Sequence, residues 1–248
     1  MRIACCIPVF IFLSCSQPEK REKEVRPVEK DSVVIVPVSV DTVDPVCDME
    51  RKLGEAGLVR MAEFDSSIQY ELKYSTPDNF MKADVYGEWD DLYLQPDVAE
   101  KLSKAQKLLK EEDSTLTLLV YDGVRPRSVQ KIMWDIVDLP NNEKGKFVSN
   151  PKNASIHNFG AAVDLTIAKT NGQPLDMGTE FDYIGELAYP TLEAKFLLEG
   201  KLTQQQIDNR KLLRKVMTNA GFTWLTTEWW HFNSCSREEA KLKYKIVE

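Results

Sequence analysis

The chain has 248 residues, of which 43% are hydrophobic, and this is enough for one core-forming domain together with some unpacked sequence. Its formal net charge is -7, and lysine and arginine alternate with acidic residues instead of clustering, so no basic surface is available to collect phosphates. The composition therefore argues against nucleic acid as a partner.

The first 15 residues have the pattern of an export signal. One arginine is followed by an apolar run from Ile3 to Leu13, which is too short to span a bilayer, and by small residues that end at Cys15. Residues 12–15 (FLSC) resemble the lipobox of bacterial lipoproteins, in which the cysteine becomes the acylated first residue; an ordinary secretory signal is the alternative. We therefore predict export to the periplasmic side of a bacterial membrane, with a lipid on Cys15 as the only membrane contact.

Residues 16–49 are charged and then rich in proline and valine, with no helical period. Such a composition is typical of an extended tether. From residue 50 the pattern changes to regular amphipathic segments without repeats or low-complexity tracts. We therefore predict one domain over residues 50–248, and the sequence leaves its oligomeric state open.

Two cysteines remain for other chemistry if Cys5 and Cys6 leave with the signal and Cys15 carries lipid. Cys47 and Cys235 could form a disulfide in an oxidising compartment. They could equally be two unrelated buried thiols, and their spacing does not decide between these alternatives.

Helices and strands are predicted to be mixed along the domain. Pro96 opens a helix whose apolar residues recur at three- and four-residue spacing, namely Val98, Leu102, Ala105 and Leu109. Further helices are predicted over residues 127–137 and 203–220, the second closed by Gly221. Strands are predicted over residues 114–121, 161–167 and 222–227. Because these elements do not follow a strict βαβ rhythm, the sequence favours a single α+β domain with helices flanking a central antiparallel sheet.

The chain has two histidines, His157 and His231, and each lies near carboxylates in an apolar context, SIHNFGAAVD and TEWWHF. An ordinary hydrogen-bonded histidine is the alternative interpretation of either one. Zinc, however, favours imidazole nitrogen together with carboxylate oxygen in open catalytic sites. The pattern therefore indicates a zinc site.

The spacing within each motif helps to decide which residues are metal ligands and which is the general base. In an unbroken strand His157 and Asp164 would face opposite sides, but Gly160 offers a break that lets both reach one ion. Glu228 and His231, three residues apart, can share a site only if the chain turns there, so one binds metal and the other stands just off it. Three ligands plus a water make a hydrolytic site, which assigns Glu228 as general base; a hydrogen bond to a ligand histidine is its alternative role.

Arg125 follows a predicted strand and a glycine-containing turn, and Pro126 holds it out of the helical region. An arginine restrained at a strand end can point into a cleft and stabilise the negative oxygen that forms when water attacks an amide. Pairing with Asp122 at the start of a helix is the alternative.

These motifs together resemble the VanX-type D-alanyl-D-alanine dipeptidases. Residues 155–164 fit the pattern S-x-H-x-x-G-x-A-x-D, residues 228–231 fit E-x-W-H, and YDGVRP looks like the family's arginine motif. The resemblance covers about residues 60 to 235 and includes LDMGTEFD. It implies the small α+β scaffold with a central antiparallel sheet that these peptidases share with hedgehog-type domains.

The resemblance also implies roles for individual residues. One zinc ion per chain would be held by His157, Asp164 and His231, with Glu228 as base and Arg125 stabilising the transition state. Ser155 and Asp182 are implied to hold the free amino end of the dipeptide; these last two come from the resemblance alone.

The predicted function is therefore zinc-dependent hydrolysis of D-alanyl-D-alanine, or of related short D-amino-acid dipeptides, by a metal-bound water. One alternative is a D,D-carboxypeptidase or endopeptidase acting on peptidoglycan stem peptides, which would need a cleft open at the amino end. Another is a non-catalytic zinc-containing module that binds wall peptides or a protein, against which Glu228 and Arg125 argue. Members of the family are often cytoplasmic, so the predicted export leaves the native peptide open.

Overall fold

The computed structural model describes residues 48–140, 144–145 and 148–248. Within them, helices are formed by α1 (Asp48–Glu55), α2 (Met61–Phe64), α3 (Pro96–Glu112), α4 (Arg127–Ile136), α5 (Glu193–Leu198), α6 (Gln204–Ala220) and α7 (Arg237–Lys243). Short 3-10 helices lie at Lys73–Ser75, Ile156–Phe159, Glu186–Ala188 and Pro190–Leu192. The strands are β1 (Val59–Arg60), β2 (Gln69–Tyr70), β3 (Tyr93–Leu94), β4 (Leu116–Asp122), β5 (Ala162–Lys169), β6 (Thr223–Trp224) and β7 (His231–Asn233).

A five-stranded sheet in the order β2-β4-β5-β7-β6 organises the domain. β2 runs parallel to β4, and the remaining neighbours are antiparallel; β1 and β3 form a separate antiparallel pair. Every residue of β4 and all but the last of β5 are buried, which explains their nearly continuous apolar sequences. The α+β prediction with a mainly antiparallel central sheet is confirmed, with one parallel pair at an edge.

Helices cover one face of this sheet. α3 packs against β4 and against α6, and α6 also contacts β5. Val120 of β4 and Leu165 of β5 join the same core as Leu102 of α3 and Leu213 of α6. Because side chains alternate along a strand, the intervening residues of β5, beginning with Asp164, face the opposite side of the sheet. That side carries the candidate site.

Most predicted elements agree with the structure. α3 begins at Pro96, and α6 begins with a Thr203 capping box and ends at Gly221, whose φ of 100° is left-handed. The strand predicted over residues 222–227 is wrong beyond Trp224. β6 pairs antiparallel with β7, with Trp224 opposite Phe232, so residues 225–230 have to form the connection between them.

Several predictions concern residues outside the described part of the chain. The signal, the tether up to residue 47 and Cys47 all lie there, so the proposed anchor and the pairing of Cys47 with half-buried Cys235 stay predictions. Within the described residues, none of the helices is both long and apolar enough to cross a membrane.

Candidate active site

A bulge in β4 and the register of β5 bring three polar side chains to one face of the sheet. Asp164 lies opposite His231 of β7 and opposite Asp122 of β4. The register of β4 shifts between Val120 and Asp122, and this turns the Asp122 side chain away from the helix-covered face that Val120 occupies. Asp122, Asp164 and His231 therefore form a row across three strands.

His157 reaches the same place from the 3-10 helix that precedes β5. Ser155 and Asn158 form a capping box at its start, and Gly160 ends it with a left-handed φ of 66°. A Cβ on Gly160 would also lie 2.9 Å from Leu58 Cδ2, so a larger residue would require the Leu58 side chain to shift. The break predicted at this glycine is present, and it places His157 beside Asp164.

His157, Asp164 and His231 form a compact buried cluster in which the candidate ligand atoms all lie within 4.8 Å of one another. His157 Nε2 is 3.2 Å from His231 Nδ1 and 3.4 Å from Asp164 Oδ2. His231 Nδ1 is 2.9 Å from Asp164 Oδ1. Two imidazoles and one carboxylate are the donor set of open zinc sites in hydrolases.

Hydrogen bonds behind the two rings orient them towards this centre. His157 Nδ1 lies 2.7 Å from the carbonyl oxygen of Gly123, which only accepts, so Nδ1 carries a proton and Nε2 is left to face the cluster. His231 Nε2 lies 2.8 Å from Asn233 Oδ1, which leaves Nδ1 facing inwards. Nitrogen atoms presented in this way beside a carboxylate fit a divalent cation.

The protonation of the cluster depends on whether a cation is present. Burial disfavours a charged His231, but its hydrogen bond to Asp164 and the charge of that carboxylate outweigh burial and raise the pKa of His231 to about 9. Burial alone would raise the pKa of Asp164, yet the two histidines hold it well below its usual range. A bound cation therefore has to displace a proton that His231 otherwise shares with Asp164.

Glu228 stands just outside the cluster, on the connection between β6 and β7. Its Oε2 lies 4.0 Å from His231 Nδ1, and its side chain is 40% exposed into the cavity that the cluster lines. Partial burial and the neighbouring charge of Asp164 raise the pKa of the Glu228 carboxyl. A carboxylate at this distance can exchange protons with a water beside the cluster without being a ligand itself.

Arg125 pairs with Asp122 and also lines the cavity, while its effect on the transition state stays a prediction. Its Nε donates to Asp122 Oδ2 at 3.0 Å and its Nη2 contacts the same carboxylate, while Nη2 also lies 3.7 Å from Asp164 Oδ2. The guanidinium packs over the Tyr74 ring, 4.9 Å from its centroid, and lines the cavity. Arg125 is thus paired and held rigidly at the edge of the cluster.

The segments that carry Arg125 and His157 are joined by two hydrogen bonds. The amide of Arg125 donates to the carbonyl of His157 at 3.0 Å. Asn158 Nδ2 donates to the carbonyl of Arg125 at 2.6 Å. Any shift of one segment therefore moves the other.

Ser155 and Asp182 line the same cavity, which has a volume of about 510 Å³. The Ser155 hydroxyl oxygen accepts from the His157 amide at 3.3 Å. Asp182 has a left-handed φ of 59° and accepts a hydrogen bond from the Tyr74 hydroxyl at 2.8 Å. Burial and the charge of Asp164 raise the pKa of Asp182 well above its usual range.

The sequence missed several residues that support the site. Tyr74 contacts Asp182 across 108 positions of the chain, and no local pattern marks such a contact. Asn233 lies two residues after His231 in a strand, so period-two alternation placed it on the same face as the histidine. Asp122 entered only as a partner of Arg125; its side chain also accepts from the Tyr86 hydroxyl at 2.5 Å.

A buried cluster of two histidines and an aspartate, with a carboxylate and a guanidinium beside it in one cavity, defines the class of metal-dependent hydrolases. The chain belongs to the family Peptidase_M15, described as D-ala-D-ala dipeptidase, whose profile matches residues 54–246. It is accordingly a metallopeptidase, and the predicted resemblance is confirmed.

Similar proteins agree with this assignment. A D-alanyl-D-alanine dipeptidase of Escherichia coli (strain K12) is 31% identical over 175 residues, which cover 71% of this chain and 83% of the relative. One of Enterococcus faecium is 28% identical over 193 residues, covering 72% and 91%. A solved structure of the LD-carboxypeptidase LdcB matches 75% of this chain and 72% of its own at 18% identity, with a TM-score of 0.41.

Proposed function

We propose that this metallopeptidase hydrolyses D-alanyl-D-alanine, or related short D-amino-acid dipeptides, with one zinc ion held by His157, Asp164 and His231. The observation that carries the proposal is the inward presentation of His157 Nε2 and His231 Nδ1 beside the Asp164 carboxylate, with Glu228 4.0 Å from the nearest of these nitrogens. The names of the relatives, each a D-alanyl-D-alanine dipeptidase, support the choice of substrate.

Glu228 and Arg125 have separate roles in cleavage of the amide, beside the role of zinc. Zinc, when bound, supplies Lewis-acid polarisation and lowers the pKa of a water so that it can attack at neutral pH. The Glu228 carboxylate takes a proton from the attacking water and passes it to the leaving amine. The Arg125 guanidinium, held by Asp122, meets the negative charge that develops on the carbonyl oxygen. The products are two molecules of D-alanine.

Asp182 and Ser155, which line the same cavity, suit a free amino group. Asp182 is half-buried and has Tyr74 as its hydrogen-bond donor, and an ammonium group would supply the positive charge that this carboxylate lacks. Ser155 presents its hydroxyl to the same cavity. An acylated amino end would bring no charge to Asp182, and this favours a dipeptidase over an enzyme that trims longer peptides.

The experiment offers zinc-loaded protein three substrates: D-alanyl-D-alanine, its N-acetyl derivative and a stem pentapeptide ending in D-alanyl-D-alanine. We expect release of D-alanine from the free dipeptide and little from the other two. The Glu228→Gln variant serves as the matched inactive control. Preferential cleavage of the pentapeptide would replace the proposal by a D,D-carboxypeptidase, and cleavage of none of the three would reject the substrate class.

A further inference from the structure

Residues 177–187, here called the substrate loop, carry Asp182 into the cavity. The loop lies between β5 and α5 and ends within the 3-10 helix Glu186–Ala188. Asp182 adopts a left-handed backbone conformation within it, which non-glycine residues seldom adopt without support from their surroundings. Its next two residues, Tyr183 and Ile184, are 44% and 50% exposed. The position of Asp182 therefore depends on how the two ends of the loop are held.

One buried side chain of α6 holds both ends. Arg210 is fully buried; its Nε donates to the carbonyl of Met177 at 2.6 Å, and its Nη1 donates to the carbonyl of Leu187 at 3.0 Å. Adjacent residues of the same helix contact the residue before the loop: Gln206 Nε2 donates to Asp176 Oδ2 and Asn209 Nδ2 donates to the Asp176 carbonyl, both at 2.8 Å. This face of α6 therefore contacts both ends of the substrate loop and the residue before it.

Arg210 is a costly residue to bury at this position. The nearest carboxylate, Glu193, lies 3.9 Å from Nη1 and is already bound by both terminal nitrogens of Arg214. Arg210 Nη2 has no hydrogen-bond partner among the described residues, and burial lowers the pKa of Arg210 to about 10. Packing alone would be served better by an apolar side chain. The planar guanidinium, with N–H groups pointing in two directions, is suited to bridging two carbonyls.

Arg210 also connects the loop to the segment that carries the general base. Its guanidinium lies 5.9 Å from the centroid of the Trp229 ring. Trp229 Nε1 donates to Thr179 Oγ1 of the loop at 2.7 Å, and Trp229 directly follows Glu228 in the chain. Arg210 of α6 and Trp229 of the segment before β7 therefore both hold the substrate loop.

We propose that Arg210 is a positioning residue that clamps the ends of the substrate loop and so sets where Asp182 meets the amino group of the substrate. The inference rests on the proposed function in one respect, the role given to Asp182. It predicts that Arg210 governs substrate affinity more than the rate of the chemical step, because it touches neither the cluster nor Arg125.

The kinetic test compares Arg210→Met with Arg214→Met in the zinc-loaded protein. Arg214 lies one turn further along the same helix and makes the stronger ion pair with Glu193, but its hydrogen bonds go to Glu193, outside the loop. We expect Arg210→Met to raise KM for D-alanyl-D-alanine about tenfold with a much smaller change in kcat, and Arg214→Met to leave KM nearly unchanged. Equal KM values for folded Arg210→Met and wild type would overturn the proposal.

A double-mutant cycle separates positioning from general loosening of the fold. In an Asp182→Asn background, Arg210→Met should raise KM by less than about twofold, because the group that it positions has lost its charge. A full additional increase would show that Arg210 acts elsewhere. Should Arg210→Met not fold, Arg210→Lys replaces it, since a single ammonium on a flexible stem cannot hold both carbonyls in the same way, and the same shift in KM is expected.

Hydrogen–deuterium exchange tests the clamp without any substrate. Exchange of the amides in residues 177–187 should be faster in Arg210→Met than in wild type and in Arg214→Met. Unchanged exchange there would contradict the clamp. If wild-type protein cleaved no D-alanyl-D-alanine while the exchange difference was present, the failure would lie in the proposed function and the clamp would stand.

Discussion

At the residue scale, the site depends on which atom of each side chain is left available. His157 and His231 each turn one ring nitrogen to an oxygen acceptor, Gly123 O and Asn233 Oδ1, and present the other to Asp164. Glu228 Oε2 lies 4.0 Å from His231 Nδ1, but Glu228 does not belong to the group of described residues whose ligand atoms all lie within 4.8 Å of one another. These contacts agree with the predicted roles of His157, Asp164 and His231 as ligands and of Glu228 as base.

Removal of a ligand and removal of the base should therefore have different consequences. His157→Ala, Asp164→Ala and His231→Ala are each expected to lose zinc, because three ligands leave no redundancy. Glu228→Gln should retain zinc and fold while its turnover falls about a hundredfold or more. Metal analysis of the purified variants beside their kcat values checks this. Loss of zinc from Glu228→Gln would require the roles of ligand and base to be exchanged.

The affinity for zinc should rise with pH. In the metal-free protein the pKa of His231 is raised to about 9, so below this pH the proton is bound and must leave when the metal binds. Each unit of pH between about 7 and the pKa should strengthen apparent zinc binding about tenfold, with a plateau above it. Competition with a chelator at several pH values measures this, once the chelator's own titration is subtracted. A flat profile over that range would mean that His231 is already neutral.

Arg125 should govern the chemical step. Arg125→Ala is expected to lower kcat by about two to three powers of ten with a smaller change in KM, as for the loss of one oxyanion donor. Arg125→Lys should recover little, because lysine lacks the planar fork that Asp122 holds. Steady-state kinetics of both variants decides between the roles, since unchanged kcat with raised KM would make Arg125 a substrate anchor. A melting curve serves as the control, because Asp122 loses its charged partner in the alanine variant.

At the scale of elements, two local irregularities assemble the site. The bulge in β4 turns Asp122 towards Asp164, and the left-handed turn at Gly160 lets the 3-10 helix deliver His157 just before β5 begins. Regular strands would have sent these side chains to opposite faces of the sheet.

Gly160→Ala should consequently damage both stability and metal binding. A left-handed non-glycine residue costs about 1 to 2 kcal/mol, and the added Cβ would also approach Leu58 Cδ2 to 2.9 Å. Gly57→Ala is the matched control, since Gly57 also has a positive φ, of 88°, but has nothing within 4 Å of the added Cβ. Denaturant unfolding and zinc titration of both variants test this. Equal behaviour of the two would show that His157 does not depend on the turn.

At the scale of the whole molecule, the site collects residues from nearly the full length of the domain. The C-terminal tail takes part: the Val247 carbonyl accepts from the Arg127 amide, and the Val247 amide donates to the Asn158 carbonyl, both at 2.8 Å. The tail thereby braces the segments that follow Arg125 and His157.

The predicted lipid anchor determines which substrates this domain meets. If Cys15 is acylated, the domain would meet peptides released on the periplasmic side, not the cytoplasmic pool. Cys15→Ser should move the protein from the membrane fraction to the soluble fraction of the cell envelope. Fractionation of both forms tests this. An intact mass showing an unmodified cysteine on the natural protein would leave only an ordinary secretory signal.

Sequence by itself determined the parts of this protein that depend on short-range order. The period of apolar residues marked α3 and α6, and the glycine between His157 and Asp164 marked the necessary break, because both signals lie within one segment. Tertiary structure decided how His231 reaches Asp164, since the register of β7 on β5 places these two residues opposite each other. It also decided that Arg210 joins the ends of the substrate loop across 33 and 23 positions of the chain. Such contacts arise when burial forces distant polar groups to satisfy one another, and no local propensity records them.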